Sequence, residues 1–245
     1  MLRGRVVSLH RWPVKSLGGE DVRALVVDDR GAAGDRTHAL FDTHQGAARR
    51  LTARQAPRML LWTARYPEVA DEAVDLDAPP LPVLTSPDGA TSLRWDDPSL
   101  PAVLGEDLGR RVSLRRDVRG QQDLGRSLLI TSTATHAAVE ESLGALDLRR
   151  WRTNVHVEFE PGVAPYAEEL WEHGHVEIGE VGLDLLHPCL RCVIPTRDPD
   201  AATKQPEILR WLTRRRAGMF GINARPVSAG VIRVGDVVTV TPPGS

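Results

Sequence analysis

The sequence predicts a mainly β protein of the α+β class, with an N-terminal β-barrel-like lobe and a second β-rich lobe that carries a few helices. Short alternating apolar runs, separated by Gly, Asp and Pro turns, fill residues 3–67. Runs at this spacing are typical of a barrel or a sandwich. A Pro-, Asp- and Ala-rich stretch at 67–101 marks a connection, and helical spacing appears only after it. We therefore expect two domains, 1–110 and 111–245.

The first lobe is built from strands that each end at a turn signal. The first run alternates and stops at Pro13, and the second is followed by the Gly/Asp turn "RGAAGDR". The predicted strands are "RGRVVSLHRW" (3–12), "VRALVVDD" (22–29), "THALFD" (37–42) and "PRMLLWTARYP" (57–67). The connection at 67–101 is expected to hold one hairpin.

The second lobe mixes strands with two helices. Ser132 or Thr133 can cap the helix "TATHAAVEESLGAL", whose apolar residues fall at helical spacing. The helix "QPEILRWLTRRR" has Pro206 near its first turn and cations in its last turn, which suits the helix dipole. The predicted strands are "RRVSLRRD", "SLLITS", "TNVHVEF", "HVEIGEVGLDLLHP" and "VIRVGDVVTV".

Composition narrows the class of protein. The chain has 41% hydrophobic and 26% charged residues and a net charge of −2, which gives no basic field for nucleic acid or membrane. No apolar run approaches the roughly 18 residues of a membrane span, and no signal peptide precedes the first strand. Two cysteines cannot form a disulfide framework, so we expect a cytoplasmic protein with reduced thiols.

Both cysteines lie in one short segment, "HPCLRCVIPTRDPD" (187–200). A structural zinc site would need two more ligands, and a thioredoxin-like pair would need a helix directly after Cys192. Two ordinary buried thiols are a further alternative. The fourth alternative is a thiolate ligand to a metal that brings its own chelate, such as molybdenum held by a pterin dithiolene. The residue types alone leave these alternatives open.

A pterin cofactor would also need cationic and polar groups from several turns. The chain offers them in "PVKS", "AGDRTHAL", "LTARQ", "WRTN" and "FGIN". Lys15 is one of only two lysines, with Lys204, in a chain whose other basic residues are arginine. An ammonium group suits a phosphate at a tight turn. Each motif alone is more often a solvated surface group.

Together these segments resemble the MOSC proteins, and most closely the branch with an N-terminal MOSC β-barrel domain, which includes the amidoxime-reducing components and their bacterial relatives. The resemblance runs from about residue 3 to residue 240. It rests on "PVKS", "GDRTHALFD", "LTARQAPRML", "WRTNVHVEF", "GHVEIGEVGLDLLHPCLRCVIPTRDPD", "MFGIN" and "GVIRVGDVV".

The resemblance implies the role of each site residue. Cys192 matches the thiolate that ligates molybdenum in the reductase branch, whereas Cys189 matches a cysteine that is not a ligand. The remaining matches concern the cofactor: Lys15, Ser16 and Arg36 for the pterin phosphate region, Arg152 and Asn154 for the contacts of the second lobe, Leu190 and Arg191 for the loop that meets the cofactor, and Ser132, Thr133 and Asn223 as further positions.

The activity implied is a molybdenum-dependent oxidoreductase that reduces N-hydroxylated small molecules. The chain has no other cysteines for an iron–sulfur cluster and no flavin or nicotinamide fingerprint. Electrons would therefore come from a separate ferredoxin- or cytochrome-like donor protein and its reductase. His38 and His187 are the candidate proton donors.

A second hypothesis belongs to a different class, a carrier of the cofactor or of sulfur without substrate turnover. MOSC domains also occur at the end of molybdenum cofactor sulfurases, and pyridoxal phosphate binding is implied at family level only. A module that has lost its cofactor is the third alternative.

Overall fold

The computed structural model of the chain describes residues 1–42, 47–67, 69–118 and 127–244. Its strands are β1 (Leu2–Arg11), β2 (Glu20–Val22), β3 (Ala24–Asp28), β4 (Gly31–Ala32), β5 (His38–Asp42), β6 (Arg49–Arg50), β7 (Thr63–Arg65), β8 (Val83–Thr85), β9 (Ser92–Arg94), β10 (Val112–Arg116), β11 (Leu128–Ser132), β12 (Val155–Phe159), β13 (His175–Ile178), β14 (Val181–Leu190), β15 (Met219–Pro226), β16 (Gly230–Arg233) and β17 (Val237–Thr241). Its α-helices are α1 (Leu100–Leu108), α2 (Thr133–Leu143) and α3 (Glu207–Arg216). Short 3-10 helices lie at Pro57–Leu61, Asp71–Ala73, Leu148–Trp151, Ala167–Leu170 and Ile194–Thr196.

A closed barrel of seven strands forms the centre of the molecule. The strands follow one another in the order β12, β11, β15, β14, β13, β17 and β1, and β1 pairs with β12 to close the ring. Every neighbouring pair is antiparallel except β11 and β12, which are parallel. The apolar side chains that alternate along these strands fill the interior, and closure leaves no open edge. The predicted sheet-rich fold with a barrel is confirmed.

The first strand of the chain belongs to this barrel. One edge of β1 pairs with β17 from Leu2↔Val240, and the other pairs with β12 from Gly4↔Phe159. The residue register shifts between Val6 and Ser8, which marks a bulge. The barrel is therefore assembled from the beginning and the second half of the chain.

A second hydrophobic core lies beside the barrel. Among the described residues, three three-stranded sheets lie outside the ring: β10-β5-β6 and β7-β8-β9 contribute to this second core, and β16-β3-β4 packs into the barrel core. Met59 and Trp62 pack with Leu84 and with Leu100 of α1 in this core. Their burial holds the loop between β1 and β2 against the barrel, and this loop carries part of the candidate site.

A third core lies under α2 and α3. Trp151 stacks on Phe220 with ring centroids 3.9 Å apart, and Val139, Ile208 and Leu212 complete the cluster. Aromatic stacking of this kind adds to the burial of apolar area. This core fixes the segment that precedes β12.

Among the described residues, no helix has both the length and the apolar character needed to cross a bilayer.

Several segments differ from the sequence-based expectation: "HVEIGEVGLDLLHP" and "VIRVGDVVTV" each form two strands, and β15 was not expected. "PRMLLWTARYP" was expected to be one strand, but Pro57–Leu61 forms a 3-10 helix and only Thr63–Arg65 is a strand. Pro57 has no N–H for a ladder, and burial of Met59 and Leu60 favours the turn. The helix α1 was not expected. It begins within the Pro-rich stretch and ends at Gly109, whose backbone is left-handed.

Candidate functional site

A cavity of about 290 Å³ lies where the loop after β1 meets the ends of β11, β14 and β15. It brings together every residue predicted to hold the metal or the cofactor except Ser132 and Thr133. Its lining residues are Lys15, Ser16, Arg36, Arg54, Ser127, Leu129, Trp151, Arg152, Asn154, His187, Cys189, Leu190, Arg191, Cys192, Ile194 and Asn223.

The charge of this lining is one-sided. Five cationic side chains reach it, and none of the described lining residues is Asp or Glu. They are Lys15, Arg36, Arg54, Arg152 and Arg191. Clustered guanidinium groups offer paired donors to phosphate or carboxylate oxygens. The lining of the cavity is therefore electrostatically suited to an anionic ligand.

Arg36 is fixed by buried partners. Its guanidinium pairs with the fully buried Asp35, donates to Asn154 Oδ1 over 3.2 Å and donates to the Arg152 carbonyl over 3.1 Å. Asp35 in turn accepts the Trp12 backbone N–H over 2.8 Å. A buried ion pair with additional hydrogen bonds fixes one orientation of both groups. Arg36 is consequently held in place at the cavity wall.

Arg152 is held from two sides. Its Nη1 donates to the Leu17 carbonyl over 2.7 Å, and its guanidinium lies 4.2 Å from the centroid of the Trp12 ring. Trp12 is itself anchored, because its Nε1 donates to the Thr153 carbonyl over 2.9 Å. A cation against a buried aromatic face is stabilised by the ring's quadrupole. These contacts join the first lobe to the segment before β12.

Three lining residues have left-handed backbone conformations. The φ angle is 71° at Ser16, 51° at Arg36 and 52° at Arg152. This conformation costs about 1 kcal/mol or more for a residue with a Cβ, and it persists where the surrounding structure enforces it. Such residues are concentrated at ligand-binding sites. Here all three belong to turns that face the same cavity.

Asn154 is a positioning residue at the base of the cavity. Its Oδ1 accepts the Leu129 backbone N–H over 3.1 Å as well as Arg36, and its Nδ2 donates to the His10 carbonyl over 3.2 Å. The side chain is fully buried. It therefore ties β1, β11 and Arg36 together where β12 begins.

The cysteine segment forms another wall. Cys189 lies near the end of β14, and Cys192 follows that strand; both are free and half-buried. Arg191 Nη1 donates to Cys189 Sγ over 3.0 Å, and its Nη2 donates to the Trp151 carbonyl over 2.6 Å. Arg191 thus holds Cys189, while Cys192 lines the cavity. Leu190 is exposed.

Two alternative roles for the cysteines lack support. Among the described residues, no group of three or more His, Cys, Asp and Glu side chains could hold a metal ion. A zinc site with four protein ligands is therefore not formed by these residues. Cys192 is followed by the short 3-10 helix Ile194–Thr196 and not by an α-helix, so the setting of a thioredoxin-like pair is missing too.

Ser132 and Thr133 lie outside the cavity lining. Ser132 is the N-cap of α2, as the sequence predicts, because its Oγ accepts the Thr135 N–H over 3.1 Å. The same hydroxyl donates to Glu168 Oε1 over 3.1 Å. Burial raises the pKa of the Glu168 carboxyl. The assignment of Ser132 and Thr133 to cofactor binding stays a prediction, and the contacts of Ser132 give it a structural role.

The two candidate histidines differ in location. His38 is fully buried and packs edge-on against Trp95, away from the cavity lining. Burial, and then the charge of Arg116, lower the pKa of His38 to about 3. His187 is exposed and lines the cavity, with Nδ1 3.3 Å from Asn223 Nδ2. Of the two candidate histidines, His187 is therefore the one that lines the cavity.

Some lining residues were not predicted. Trp151 closes the cavity beside Arg152, and its buried Nε1 has no hydrogen-bond partner among the described residues. Its only sequence signal is its position next to "RTN". Ser127, Leu129 and Ile194 carry no signal at all, because their place depends on how the strands assemble. Arg54 lies in "LTARQ", one of the polar turn motifs that the sequence offers for a cofactor.

Comparison with known proteins agrees with this architecture. Residues 115–239 match the family model described as MOSC domain, and residues 3–96 match the MOSC N-terminal beta barrel domain. No curated protein matches the chain. The crystal structure of the YuaD protein from Bacillus subtilis matches with a TM-score of 0.51 at 15% identity, over 99% of each chain. This similarity concerns the fold.

Two further solved structures match less closely. YiiM from Geobacillus stearothermophilus gives a TM-score of 0.38 at 14% identity, over 48% of this chain and 55% of that one. A structure described as a hypothetical protein gives a TM-score of 0.47 at 9% identity, over 99% of this chain and 70% of that one.

Proposed function

The chain belongs to the MOSC domain family, whose members are associated with molybdenum cofactor binding, and from this premise we propose that it holds a molybdenum–pterin cofactor and reduces N-hydroxylated compounds. The observation that carries the proposal is a cavity in which five cations and two free thiols meet, with no acidic residue among the described lining residues. A pterin cofactor with a phosphate and a thiolate-ligated metal needs this combination.

The residues present fit such a group. Lys15, Ser16, Arg36 and Arg152 would hold the phosphate, because they are the cationic and hydroxyl groups of the preformed turns. Cys192 would be the thiolate ligand. When bound, the cofactor would supply the two-electron redox centre for removal of oxygen from the substrate nitrogen.

The protein's own contribution is orientation and charge. Asp35 and Asn154 keep the Arg36 guanidinium in one position, so no reorganisation is needed when an anion binds. Arg191 holds Cys189 and leaves Cys192 as the available thiol. His187, at the cavity wall beside Asn223, would deliver protons to the product. The cytoplasmic location stays a prediction.

The test is the molybdenum, zinc and pterin content of protein purified from a host that makes the cofactor. Wild type is compared with Cys192→Ser, and Cys189→Ser serves as the matched control three residues away. We expect stoichiometric molybdenum and pterin in wild type and in Cys189→Ser, and loss of molybdenum in Cys192→Ser. Zinc without pterin would refute the cofactor proposal.

A second measurement separates the oxidoreductase from the carrier. Loaded protein is supplied with an N-hydroxylated substrate and reduced methyl viologen, which donates electrons without a partner protein. Turnover supports the reductase. Release of the cofactor or of sulfur to an acceptor protein, with no turnover, would establish the carrier function in its place.

A further inference from the structure

A groove of about 360 Å³ lies behind the cysteine segment, along α3; we refer to it as the α3 groove. Its apolar lining is Val193, Pro206 and Leu209, and its cations are Lys204, Arg210 and Arg214.

The α3 groove and the cavity share the cysteine segment as a wall. Cys192 and Ile194 line the cavity, whereas Val193 and Thr196 line the α3 groove. Cys192, Val193 and Ile194 therefore alternate between the cavity and the α3 groove. A molecule seated in the α3 groove would contact the residue directly after the proposed metal ligand.

The groove carries a local positive charge. Residues 204–216 contain five cations and one acid, Glu207, for a charge of +4 in a chain whose net charge is −2. Arg210, Arg214 and Arg215 are exposed, and among the described residues none of the three forms an ion pair. Concentrated charge of one sign accelerates the association of an oppositely charged partner.

Apolar surface is exposed beside the groove. Val193 of the α3 groove is 41% exposed, and Leu190, which lines the cavity, is 67% exposed. A small apolar centre with a charged rim is typical of a protein interface. A nucleic acid would need a longer cationic track, since α3 has only 10 residues and spans about 15 Å. These features favour an acidic protein as the occupant.

We propose that an acidic one-electron carrier protein docks in the α3 groove and delivers electrons to the cavity across the cysteine segment. The proposal rests on the function proposed above. Reduction of an N-hydroxyl group to N–H breaks the N–O bond, consumes two electrons and two protons, and releases the oxygen as water. A one-electron carrier is oxidised at each docking event, so it must dock twice for each turnover.

The experiment uses paired charge-reversal variants. Arg210→Glu with Arg214→Glu reverses the groove, and Arg3→Glu with Arg49→Glu makes the same change at exposed arginines elsewhere. The probes are a small acidic [2Fe–2S] ferredoxin and an acidic cytochrome b5, with binding measured at about 50 mM and about 500 mM salt. We expect the groove variant to bind at least one probe at least tenfold more weakly than wild type at low salt. The control variant should stay within twofold.

Two readouts distinguish failure of the docking proposal from failure of the proposed function. Turnover driven by reduced methyl viologen needs no docking, so the groove variant should keep it and lose turnover driven by the protein probe. Wild type that binds a probe through the groove but gives no viologen turnover would refute the reductase and support the docking surface. The docking proposal would be overturned if both protein probes drove turnover equally well in wild type and in the groove variant. It would also be overturned if the α3 groove bound a DNA duplex as tightly as it binds the protein probes.

Discussion

Single buried polar residues determine the shape of the cavity. Asn154 illustrates this, because its amide joins two backbone segments and one guanidinium inside the protein. A polar group that is buried with all its bonds formed rigidifies its surroundings, whereas one left without a partner is costly. The cationic wall therefore depends on residues that need not touch the ligand.

Replacement of Asn154 by alanine should lower the free energy of unfolding by about 3 kcal/mol, because the Leu129 N–H and the His10 carbonyl lose their partner. Asn223→Ala is the matched control, since Asn223 is half-buried and its side chain contacts His187. It should cost less than about 1 kcal/mol. Urea unfolding measures both. Equal losses would contradict the positioning role.

In the described part of the chain, three histidines, His10, His38 and His156, are buried with a lowered pKa, and they predict a pH dependence of stability. Burial lowers the pKa of His38 to about 3 and that of His156 to about 4, so both are neutral in the folded chain. The unfolded chain binds protons from about pH 6.5 downward. The free energy of unfolding should therefore keep its full value above that pH. It should fall by about 1.4 kcal/mol per pH unit for each histidine as the pH drops toward 4.

Urea unfolding between pH 7.5 and pH 4.5 tests this slope in wild type and in His38→Gln. The variant should show a smaller dependence on pH, because one of the buried histidines no longer takes up a proton on unfolding. His173→Gln is the control, since His173 is exposed. An unchanged slope in His38→Gln would contradict the assignment.

At the scale of elements, strand β15 has a left-handed residue where it approaches β11 closely. Gly221 makes this possible with a φ of +74°, and a Cβ there would lie 2.7 Å from the Ile130 carbonyl oxygen. Only glycine fits both the conformation and the close approach. Two residues further on, Asn223 lines the cavity together with the end of β14.

Gly221→Ala should therefore lower stability by about 3 kcal/mol or more, from backbone strain together with the clash. Gly89→Ala separates the two causes, because Gly89 has a φ of +72° and no heavy atom within 4 Å of the added Cβ. It should cost only about 1 kcal/mol. Thermal or urea unfolding of the two variants measures the difference. Similar losses would refute the close-approach argument.

The start of α2 provides a test of the remaining predicted site residues. Ser132→Ala removes the cap and the bond to Glu168, and it should cost about 1 kcal/mol or more. Because Ser132 does not line the cavity, molybdenum content should not change. Thr133→Ala is the comparison at the next position. Loss of molybdenum with unchanged stability would assign Ser132 to the cofactor after all.

At the scale of the whole molecule, the barrel joins distant parts of the sequence. Strand β1 lies between β12 and β17, so residues 111–245 alone lack one strand of the barrel. An open barrel exposes apolar interior and two strand edges. The site likewise needs both regions, since Arg36 bonds to Arg152 and Asn154.

A chain of residues 111–245 should therefore fail to fold cooperatively, in spite of the domain boundary that the sequence suggests. Near-ultraviolet circular dichroism and two-dimensional NMR of this fragment measure the outcome, with the full chain as the control. Co-expression with residues 1–110 should restore native signals. A fragment with native dispersion on its own would show that β1 is dispensable.

The sequence by itself determined the type of most elements and most of the site's residues. Alternation predicted β1, helical spacing with Ser132 predicted α2, and the motifs around Lys15, Arg152 and the cysteines predicted residues that the structure brings to one cavity. These signals are local, because they depend on side-chain period, turn chemistry and short motifs.

Tertiary structure decided the rest. The 3-10 helix at Pro57–Leu61 follows from burial in the second core, and the closure of the barrel by β1 depends on strands more than 140 residues away. Trp151 lines the cavity in a position that its stacking on Phe220 fixes. The contact between Arg191 and Cys189 depends on where β14 ends. Such outcomes depend on non-local pairing and burial, which no local sequence pattern encodes.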